Sequence, residues 1–259
     1  MNVVVFTKQI PDPNEPWALD PDGFRLVRTG GLVIDDADRY GVEVALRLRD
    51  ASGGGEVVAV SMAPSGASSS LRTALAMGVD RAIVVSDEAL AGSDALSSAK
   101  VLAATVATVV ADAVVAATES TDGYTGTVPI QVAEVLGWPS ISYVSAIELS
   151  ADTLRATRQT DAGNEDVECE LPVVLSVTAG IVEPRYPSMR GIMSAKTKPI
   201  EVLAVGDLGL DPTSVGAAGA RQVVVSAEPA PLRARGVVVV DDDDAHERLL
   251  ALLVDLKLL

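Results

Sequence analysis

The sequence is poor in the side chains that many hydrolytic and metal-dependent enzymes use. It contains one cysteine and one histidine in 259 residues. Zinc sites draw on several Cys and His ligands, and Ser-His-Asp or Cys-His catalysis would depend on His246 alone. Cys169 can form no internal disulfide, which fits a reducing compartment. We therefore predict no metal site and no catalytic residues, and a carrier or binding role in place of an enzyme.

Basic charge and long apolar runs are also scarce. Twenty Lys and Arg stand against 36 Asp and Glu, giving a net charge of −16. Nucleic-acid binding needs clustered cations, so we predict no nucleic-acid partner. The most apolar stretch, residues 101–118, is split by Asp112 and falls short of the roughly 20 residues of a membrane span. With no signal-peptide pattern in MNVVVFTKQIPD, we predict a cytoplasmic protein without direct membrane insertion.

Valine, alanine and leucine dominate what remains, and their pattern predicts the fold. Apolar residues make up 48% of the chain, and aromatic residues only 3%. Apolar runs of strand length alternate with helical periodicity. The predicted strands cover 2–8, 55–63, 80–87 and 111–118, and the predicted helices cover 34–50, 68–78, 93–111 and 128–137. Four β-α units in succession predict an α/β fold with a doubly wound, mostly parallel sheet.

The pattern changes after Trp138. Four segments between 141 and 180 alternate and lie close together, which predicts antiparallel strands added to one edge of the sheet. Residues 11–31 are turn-rich and predict a hairpin at Asp22-Gly23, whereas 183–199 contain three prolines and are interpreted as an irregular loop. We predict a main domain over 1–206 and a C-terminal arm over 207–259, in which a short strand and a helix follow Gly236.

The segment TESTDGYTGTVP, residues 118–129, follows the fourth predicted strand and leads into a helix. Ligands of open α/β sheets bind at the carboxyl ends of the strands. Gly123 and Gly126 permit close backbone approach, Thr125 and Thr127 carry hydroxyl donors, and a helix N-terminus attracts anions. The segment contains no lysine or arginine, and the chain has neither a Walker A nor a GxGxxG sequence at the expected place. The choice lies between a phosphate-binding loop and an ordinary strand-to-helix turn.

A second segment, 183–199, reverses the acidic balance of the chain. Its cations are interleaved with apolar side chains, a composition typical of protein-docking surfaces, and methionine suits contacts that must adapt. The alternative is a loop that packs its own Tyr and Met onto the domain. The candidate docking residues are Glu183, Pro184, Arg185, Tyr186, Met189, Ile192, Met193, Lys196 and Lys198, and Arg190 adds a further cation.

Five ordered segments resemble the β subunit of electron transfer flavoproteins, over about residues 1–205 with a weaker similarity to the end. The match to the family's N-E-P-R-Y-P-S-L segment is the most specific. The five segments are KQIPD (8–12), VEVALRLRD (42–50), LRTALAMGVDRAIVV (71–85), TDGYTGTVPIQVAEVLGWP (121–139) and EPRYPSMRGIMSAKTKPIEV (183–202).

The resemblance implies an electron carrier of the adenine-nucleotide α-hydrolase-like fold. It implies a heterodimer with an α subunit that holds most of a shared FAD, and a C-terminal arm that contacts that subunit. The implied donors are flavin dehydrogenases of the acyl-CoA type, as in fatty acid oxidation, and the implied acceptor is a quinone reductase. The β subunit itself would hold AMP, or a second FAD as in bifurcating members.

The resemblance also assigns residues by position. It implies nucleotide contacts from Phe6, Asp35, Asp36, Ala37, Asp38, Met62, Ala117, Thr118, Glu119, Ser120, Thr121, Asp122, Gly123, Tyr124, Thr125, Gly126, Thr127 and Val128. Met189, a leucine in the family, would be the docking anchor. The chain departs from the family pattern at Ala37, Tyr124 and Thr127, where the family has an aromatic residue, an aspartate and a glutamine.

A stand-alone adenine-nucleotide-binding protein of the stress-protein type is the alternative from another class. Such proteins share this kind of sheet, but they usually carry a glycine-rich G-x-x-G…G-S/T loop that is absent here. A stable homodimer that retains ATP would favour this alternative.

Overall fold

The first strand sets the two faces of the central sheet. In the computed structural model, which describes residues 1–20, 22, 24–28, 30–150, 153–228, 236, 238–240 and 243–259, all four residues of β1 are buried. Val3 and Val5 belong to the core on one face of the sheet, and Val4 and Phe6 to the core on the other. Successive strand side chains point to opposite faces, so an uninterrupted apolar run identifies a strand covered by helices on both sides.

Nine strands form one sheet in the order β11-β5-β4-β1-β6-β10-β7-β8-β9, and β2 and β3 form a separate antiparallel pair. Every neighbouring pair from β11 to β7 is parallel, whereas β8 and β9 are antiparallel additions. The strands are β1 (Val3–Phe6), β2 (Gln9–Pro11), β3 (Leu32–Ile34), β4 (Val57–Met62), β5 (Arg81–Val85), β6 (Ala113–Ala117), β7 (Ser140–Ser150), β8 (Thr153–Thr160), β9 (Gly163–Glu170), β10 (Val173–Val177) and β11 (Ile200–Leu203).

Helices cover both faces of this sheet. Side chains of α1, α2 and α5 pack in the core on one face, and those of α3 and α4 in the core on the other, which confirms the predicted doubly wound α/β fold. The helices are α1 (Asp36–Ala51), α2 (Ser69–Met77), α3 (Ala95–Ala107), α4 (Val128–Leu136), α5 (Met189–Thr197), α6 (Gly216–Gly219) and α7 (Ala245–Asp255).

Local signals in the sequence account for the helix ends that shape the site. Asp35 caps α1 by accepting a hydrogen bond from the backbone N–H of Ala37. Pro129 lies in the first turn of α4, where its missing N–H removes no intrahelical bond. Gly78 ends α2 at a φ of 122°, a conformation that side-chain-bearing residues rarely adopt. These three ends agree with the predicted helix boundaries.

Two predictions about strand order and segment structure are wrong, and one strand was not predicted. Residues 173–177 form a parallel strand between β6 and β7, so they lie inside the sheet and not in the antiparallel addition at its edge. The strand that was not predicted is β11, which forms the opposite edge and is parallel to β5. The segment 183–199 is not irregular throughout, because Ser188 caps a helix of nine residues there.

The hairpin predicted within 11–31 is present in its stem. β2 and β3 pair from Gln9–Ile34 to Pro11–Leu32, and an isolated bridge joins Leu19 and Leu26. Gly23, in the predicted turn, lies outside the described residues. The short strand predicted near 236–240 is absent from the described residues of that stretch, and Val237 lies outside them.

The chain divides into two compact units, 1–224 and 225–259. The first unit extends beyond residue 206, because Val205 and Val215 are fully buried with Leu90 and Val101 in a small third core. In the second unit, α7 buries none of its residues. Among all described residues, no helix combines the length and the apolar character that crossing a bilayer would require.

Candidate functional site

A cavity of about 260 Å³ opens at the carboxyl ends of β1, β4 and β6. This is the edge at which open α/β sheets bind ligands. Its lining residues are Phe6, Thr7, Lys8, Asp38, Val60, Met62, Ser93, Asp94, Ala95, Ser98, Leu102, Ala116, Ala117, Thr118, Glu119, Ser120, Gly123, Thr125, Gly126, Val128 and Pro129.

The lining is divided between apolar and polar side chains. Phe6, Val60 and Leu102, which line the cavity, belong to the core that packs under α3 and α4. Polar groups come mainly from the segment 118–126 and from the first turn of α3. A lining that combines an apolar surface with a few placed polar groups is typical of small-molecule sites, and it suits a ligand with one flat apolar part and one polar part.

The segment 118–127 is fastened to the start of α1 by a buried carboxylate. Asp35 is fully buried, and its Oδ2 accepts hydrogen bonds from the backbone N–H of Thr121, at 2.7 Å, and from the Thr121 hydroxyl, at 3.0 Å. Its Oδ1 accepts the capping bond from Ala37, at 3.1 Å. Asp35 and Thr121 therefore hold the segment in place behind the cavity lining.

Two cations reach this segment from elsewhere in the chain. Asp122 has a fully buried side chain and pairs with Lys8, whose Nζ lies 2.6 Å from Oδ1, and with Arg28. Lys8 Nζ also donates to the Ser120 hydroxyl at 3.1 Å. Burial alone would raise the pKa of Asp122. Hydrogen bonds and charge from Lys8 and Arg28 outweigh this effect, so the pKa of Asp122 lies below its ordinary value. The segment has no cation in its own sequence, but the fold places Lys8 and Arg28 beside it.

Asp38 and Thr7 supply two more buried polar groups of the lining. Burial holds the pKa of Asp38 well above its ordinary range, although the backbone N–H of Lys8 donates to it and opposes that effect. The Thr7 hydroxyl is buried and has no hydrogen-bond partner among the described residues. A buried hydroxyl without a partner is unfavourable by about 1–3 kcal/mol, and a polar ligand group in the cavity would relieve it.

The structure brings together many, but not all, of the residues that the sequence implied. The implied nucleotide contacts that line the cavity are Phe6, Asp38, Met62, Ala117, Thr118, Glu119, Ser120, Gly123, Thr125, Gly126 and Val128. Asp35, Thr121 and Asp122 lie behind the lining and support it. Asp36, Ala37, Tyr124 and Thr127 do not line it; Tyr124 is 68% exposed at a φ of 47°.

Sequence reasoning missed one wall of the cavity and part of its floor. The missed wall is the start of α3, where Asp94 accepts from the backbone N–H of Ser97 as the helix cap. The order G-S-D-A before an alanine-rich helix signals such a cap, and helix starts lie at the edge where ligands bind. The missed lining residues are Thr7, Lys8, Val60, Ser93, Asp94, Ala95, Ser98, Leu102, Ala116 and Pro129.

The second candidate site is the exposed surface of α5 and the residues before it. Tyr186 is 88% exposed and Met189 77% exposed, and Ile192 and Met193 are also exposed. The structure therefore does not support the alternative in which this segment packs its Tyr and Met onto the domain. Arg190 and Lys196 are exposed beside these apolar side chains.

Two of the predicted docking cations, Arg185 and Lys198, bond to other parts of the domain. Arg185 Nε donates to Glu43 Oε2 at 2.7 Å, and the Glu43 side chain is almost fully buried. Lys198 Nζ donates to the backbone carbonyl of Val79 at 2.8 Å. Sequence composition could not indicate these bonds, because each partner lies more than a hundred residues away.

A third cation, Arg72 of α2, holds the end of α5. One terminal nitrogen of its guanidinium donates to the carbonyls of Ala195 and Lys198, each at 2.6 Å. Helix-terminal carbonyls lack intrahelical partners, so Arg72 acts as a side-chain cap from a neighbouring helix. The orientation of α5 is therefore set by α1 and α2 together.

We expect Glu43→Gln to lower the free energy of unfolding by about 1–3 kcal/mol, as for a lost hydrogen-bonded charge. Burial opposes ionisation of Glu43, but the bonds from Arg185 and Arg47 outweigh it and lower its pKa. Because the pKa of Glu43 is lower in the folded state than in the unfolded state, where it is about 4.3, ionised Glu43 stabilises the protein at pH values above the unfolded-state pKa. This stabilisation is lost as the pH falls through the folded-state pKa. The wild-type advantage should thus shrink below about pH 4.

Urea unfolding at a series of pH values measures this effect. Glu56→Gln is the control, since Glu56 forms only a partly exposed pair with Arg81 at 3.4 Å and should change stability by less than about 1 kcal/mol. If the Glu43→Gln protein were as stable as wild type at pH 7, the bond between Glu43 and Arg185 would not contribute to stability as we expect.

The fold and the cavity define a doubly wound α/β protein with a ligand-sized cavity at the carboxyl ends of its strands, and comparison with known proteins narrows that class. Residues 23–208 match the family model described as Electron transfer flavoprotein domain. The chain is 34% identical over 264 residues to Electron transfer flavoprotein subunit beta of Mycobacterium tuberculosis, covering 100% of this chain and 99% of that protein.

Other relatives agree. The chain is 35% identical over 252 residues to Electron transfer flavoprotein subunit beta of Thermoanaerobacterium thermosaccharolyticum, with 96% of each protein covered. It is 35% identical over 218 residues to Caffeyl-CoA reductase-Etf complex subunit CarD of Acetobacterium woodii, with 83% of each covered. The chain belongs to the electron transfer flavoprotein β subunit family.

Proposed function

We propose that this chain is the β half of an electron-carrying heterodimer with an electron transfer flavoprotein α subunit. The observation that carries the proposal is the full-length similarity to proteins named as β subunits. The exposed surface of α5 supports it, because a solvent-facing Tyr-Met-Met patch held by internal ion pairs suits contact with other proteins. We propose that the chain carries no catalytic residues of its own and works in the cytoplasm.

We propose that the cavity holds AMP. Its volume, about 260 Å³, is small beside the roughly 300–1,000 Å³ of typical ligand sites and suits a mononucleotide better than a second FAD. The unpartnered Thr7 hydroxyl offers a bond to a polar ligand group. Phe6, Val60 and Leu102 would contact the base, and the phosphate would lie by Lys8 and the start of α4.

Gly123 supports the placement of the phosphate. A Cβ added at Gly123 would lie 3.0 Å from the Ser120 hydroxyl and 3.6 Å from Lys8 Nζ. The absence of a side chain there leaves this hydroxyl and ammonium accessible. Local cations at a helix N-terminus favour an anion at rest, and no transfer of a phosphoryl group is required.

We propose that α5 docks flavin dehydrogenases of the acyl-CoA type, with Met189 as the apolar anchor and Arg190 and Lys196 beside it. A quinone reductase would be the electron acceptor of the heterodimer. The FAD that the heterodimer shares would accept and release the electrons when bound. The contribution of this chain would be to position the partner proteins.

We propose further that the second unit contacts the α subunit. Its helix α7 exposes apolar side chains, among them Leu249, Leu250 and Leu252. A unit spanning 225–259 is too short to bury a core of its own. An α subunit that covers these leucines would account for their exposure on the surface of an otherwise acidic chain.

Co-expression with the α subunit tests the proposed function. We expect a yellow complex of equal stoichiometry, and a mass spectrum of the ligands released on denaturation should show FAD and AMP. A colourless complex, or no complex, would contradict the electron-carrier proposal. A homodimer that retains ATP would favour the stress-protein type instead, and release of two FAD molecules per complex would overturn the assignment of AMP.

A further inference from the structure

A loop that follows β5, residues 86–94, leads into the start of α3 and forms one wall of the cavity with it. The residues of this α3 wall that line the cavity are Ser93, Asp94, Ala95, Ser98 and Leu102. Within the loop, Leu90 alone is buried, so the loop has little packing of its own. Segments with little buried surface change position at low free energy, and contacts from elsewhere in the chain must therefore hold this wall.

The segment 205–222 bonds to this loop at both ends and in the middle. At the start of the loop, Asp87 Oδ2 accepts a hydrogen bond from the backbone N–H of Val205 at 3.1 Å. In the middle, the carbonyl of Ala91 accepts from the backbone N–H of Ala217 at 2.9 Å. The loop and the segment therefore lie beside each other, although they are far apart along the chain.

At the end of the loop, one carboxylate bonds to both the wall and the segment. Asp94 Oδ1 caps α3 by accepting from the backbone N–H of Ser97 at 2.7 Å. Its Oδ2 accepts from the backbone N–H groups of Arg221, at 2.6 Å, and Gln222, at 3.2 Å. Because Asp94 also lines the cavity, a displacement of the segment would move the wall with it.

Side-chain packing joins the same parts of the chain. Val215 of the segment is fully buried and belongs to one small core with Leu90 of the loop. Met62, which lines the cavity, packs against that core. At Gly216 no side chain fits, because an added Cβ would overlap the carbonyl oxygen of Ala89. The segment contacts the loop closely, but none of its residues lines the cavity.

We propose that the segment 205–222 is a positioning element of the ligand site, which holds the α3 wall where a bound ligand requires it. This proposal rests on the proposed binding of AMP. Most of the segment lies beyond residue 208, where the match to the family model ends. A ligand binds only the fraction of molecules in which the wall is in place, so its apparent affinity falls in proportion to that fraction. Since such coupling is reciprocal, bound AMP should strengthen the bonds that the segment makes.

Val215→Ala loosens the segment without altering a residue that lines the cavity. Val79→Ala is the matched control, because Val79 is also fully buried but belongs to the core on the opposite face of the sheet and precedes β5 at the amino ends of the strands. Truncation of a buried side chain is destabilising at either position, so both variants should unfold at a lower urea concentration than wild type. Only Val215→Ala should also weaken ligand binding.

Titration of the full-length chain with a fluorescent AMP analogue measures this difference. We expect Val215→Ala to bind the analogue about tenfold more weakly than wild type, equivalent to about 1.4 kcal/mol, and Val79→Ala to bind it as wild type does. Equal affinities of wild type and Val215→Ala, or an equal loss in both variants, would overturn the positioning role while the nucleotide site stands. A wild-type chain that binds no AMP would overturn the nucleotide site and this role with it.

Hydrogen exchange provides a second measurement. Without ligand, the amide of Ser97 should exchange faster in Val215→Ala than in wild type, because the loosened segment no longer steadies Asp94. In wild type, AMP should slow exchange at the amides of Arg221 and Gln222, although neither residue lines the cavity. Unchanged exchange at Ser97 in the variant, or exchange at Arg221 and Gln222 that does not respond to bound AMP, would contradict the proposal.

Discussion

Asp35→Ala should destabilise the protein by about 2–4 kcal/mol and loosen the cavity for which we propose AMP. Loss of a helix N-cap removes about 0.5–2 kcal/mol, and Asp35 also accepts two bonds from Thr121. Leaving the half-buried Thr121 N–H without a partner adds about 1–3 kcal/mol. Because Thr121 holds the segment 118–127, affinity for AMP should fall in the same variant.

Asp36→Ala is the matched control for this change. Asp36 is the adjacent carboxylate, but its side chain is 85% exposed and pairs with Arg39, three residues along α1. Loss of this pair and of a charge near the helix N-terminus should lower stability by less than about 1 kcal/mol. Urea unfolding and AMP titration of both variants measure the difference, and equal effects at the two positions would refute the role assigned to Asp35.

Met189→Glu should lower kcat/KM for electron acceptance from a flavin dehydrogenase by about 10- to 100-fold. Apolar anchors at the centre of an interface contribute about 2 kcal/mol or more, and a tenfold change corresponds to about 1.4 kcal/mol. A carboxylate would also reduce the positive charge beside Arg190 and Lys196. Because Met189 is 77% exposed, the fold should be unaffected.

Val110→Glu is the control for the docking prediction. Val110 is 81% exposed and precedes β6, so it lies at the amino ends of the strands, opposite the cavity. It matches Met189 in exposure but lies on a different surface, so its kinetics should equal those of wild type. Steady-state assays at varied carrier concentration separate KM from kcat. We expect the loss at Met189 mainly in KM, and unchanged kinetics there would exclude it as an anchor.

The sequence was sufficient for the parts of the fold that depend on local pattern. The alternation from β1 to α4 follows from apolar period and from end signals such as Asp35, Gly78 and Pro129. The position of β10 does not follow, because strand order depends on pairing between distant segments. A signal was nevertheless present in the sequence, because VVLSV begins with a continuous apolar run, which is typical of a strand covered on both faces. All five of its residues are buried in the structure.

The candidate site divides in the same way. The segment 118–129 was predictable because a glycine-rich turn between a strand and a helix is a local feature. The cations Lys8 and Arg28 were not, since they lie 114 and 94 residues from Asp122 along the chain. For the same reason, the sequence did not indicate that Arg185 is bound to Glu43, 142 residues away.

The way α5 is held means that an isolated peptide would not reproduce the proposed docking surface. A helix of nine residues is too short to persist alone in water, where about 12–15 residues are already marginal. Its end is capped by Arg72, and at Gly191 the helix backbone lies against the Ala76 carbonyl so closely that no side chain fits. A synthetic peptide of residues 183–199 should therefore compete poorly for partner proteins. Moving this specificity to another carrier would require transplanting α1, α2 and α5 as one block.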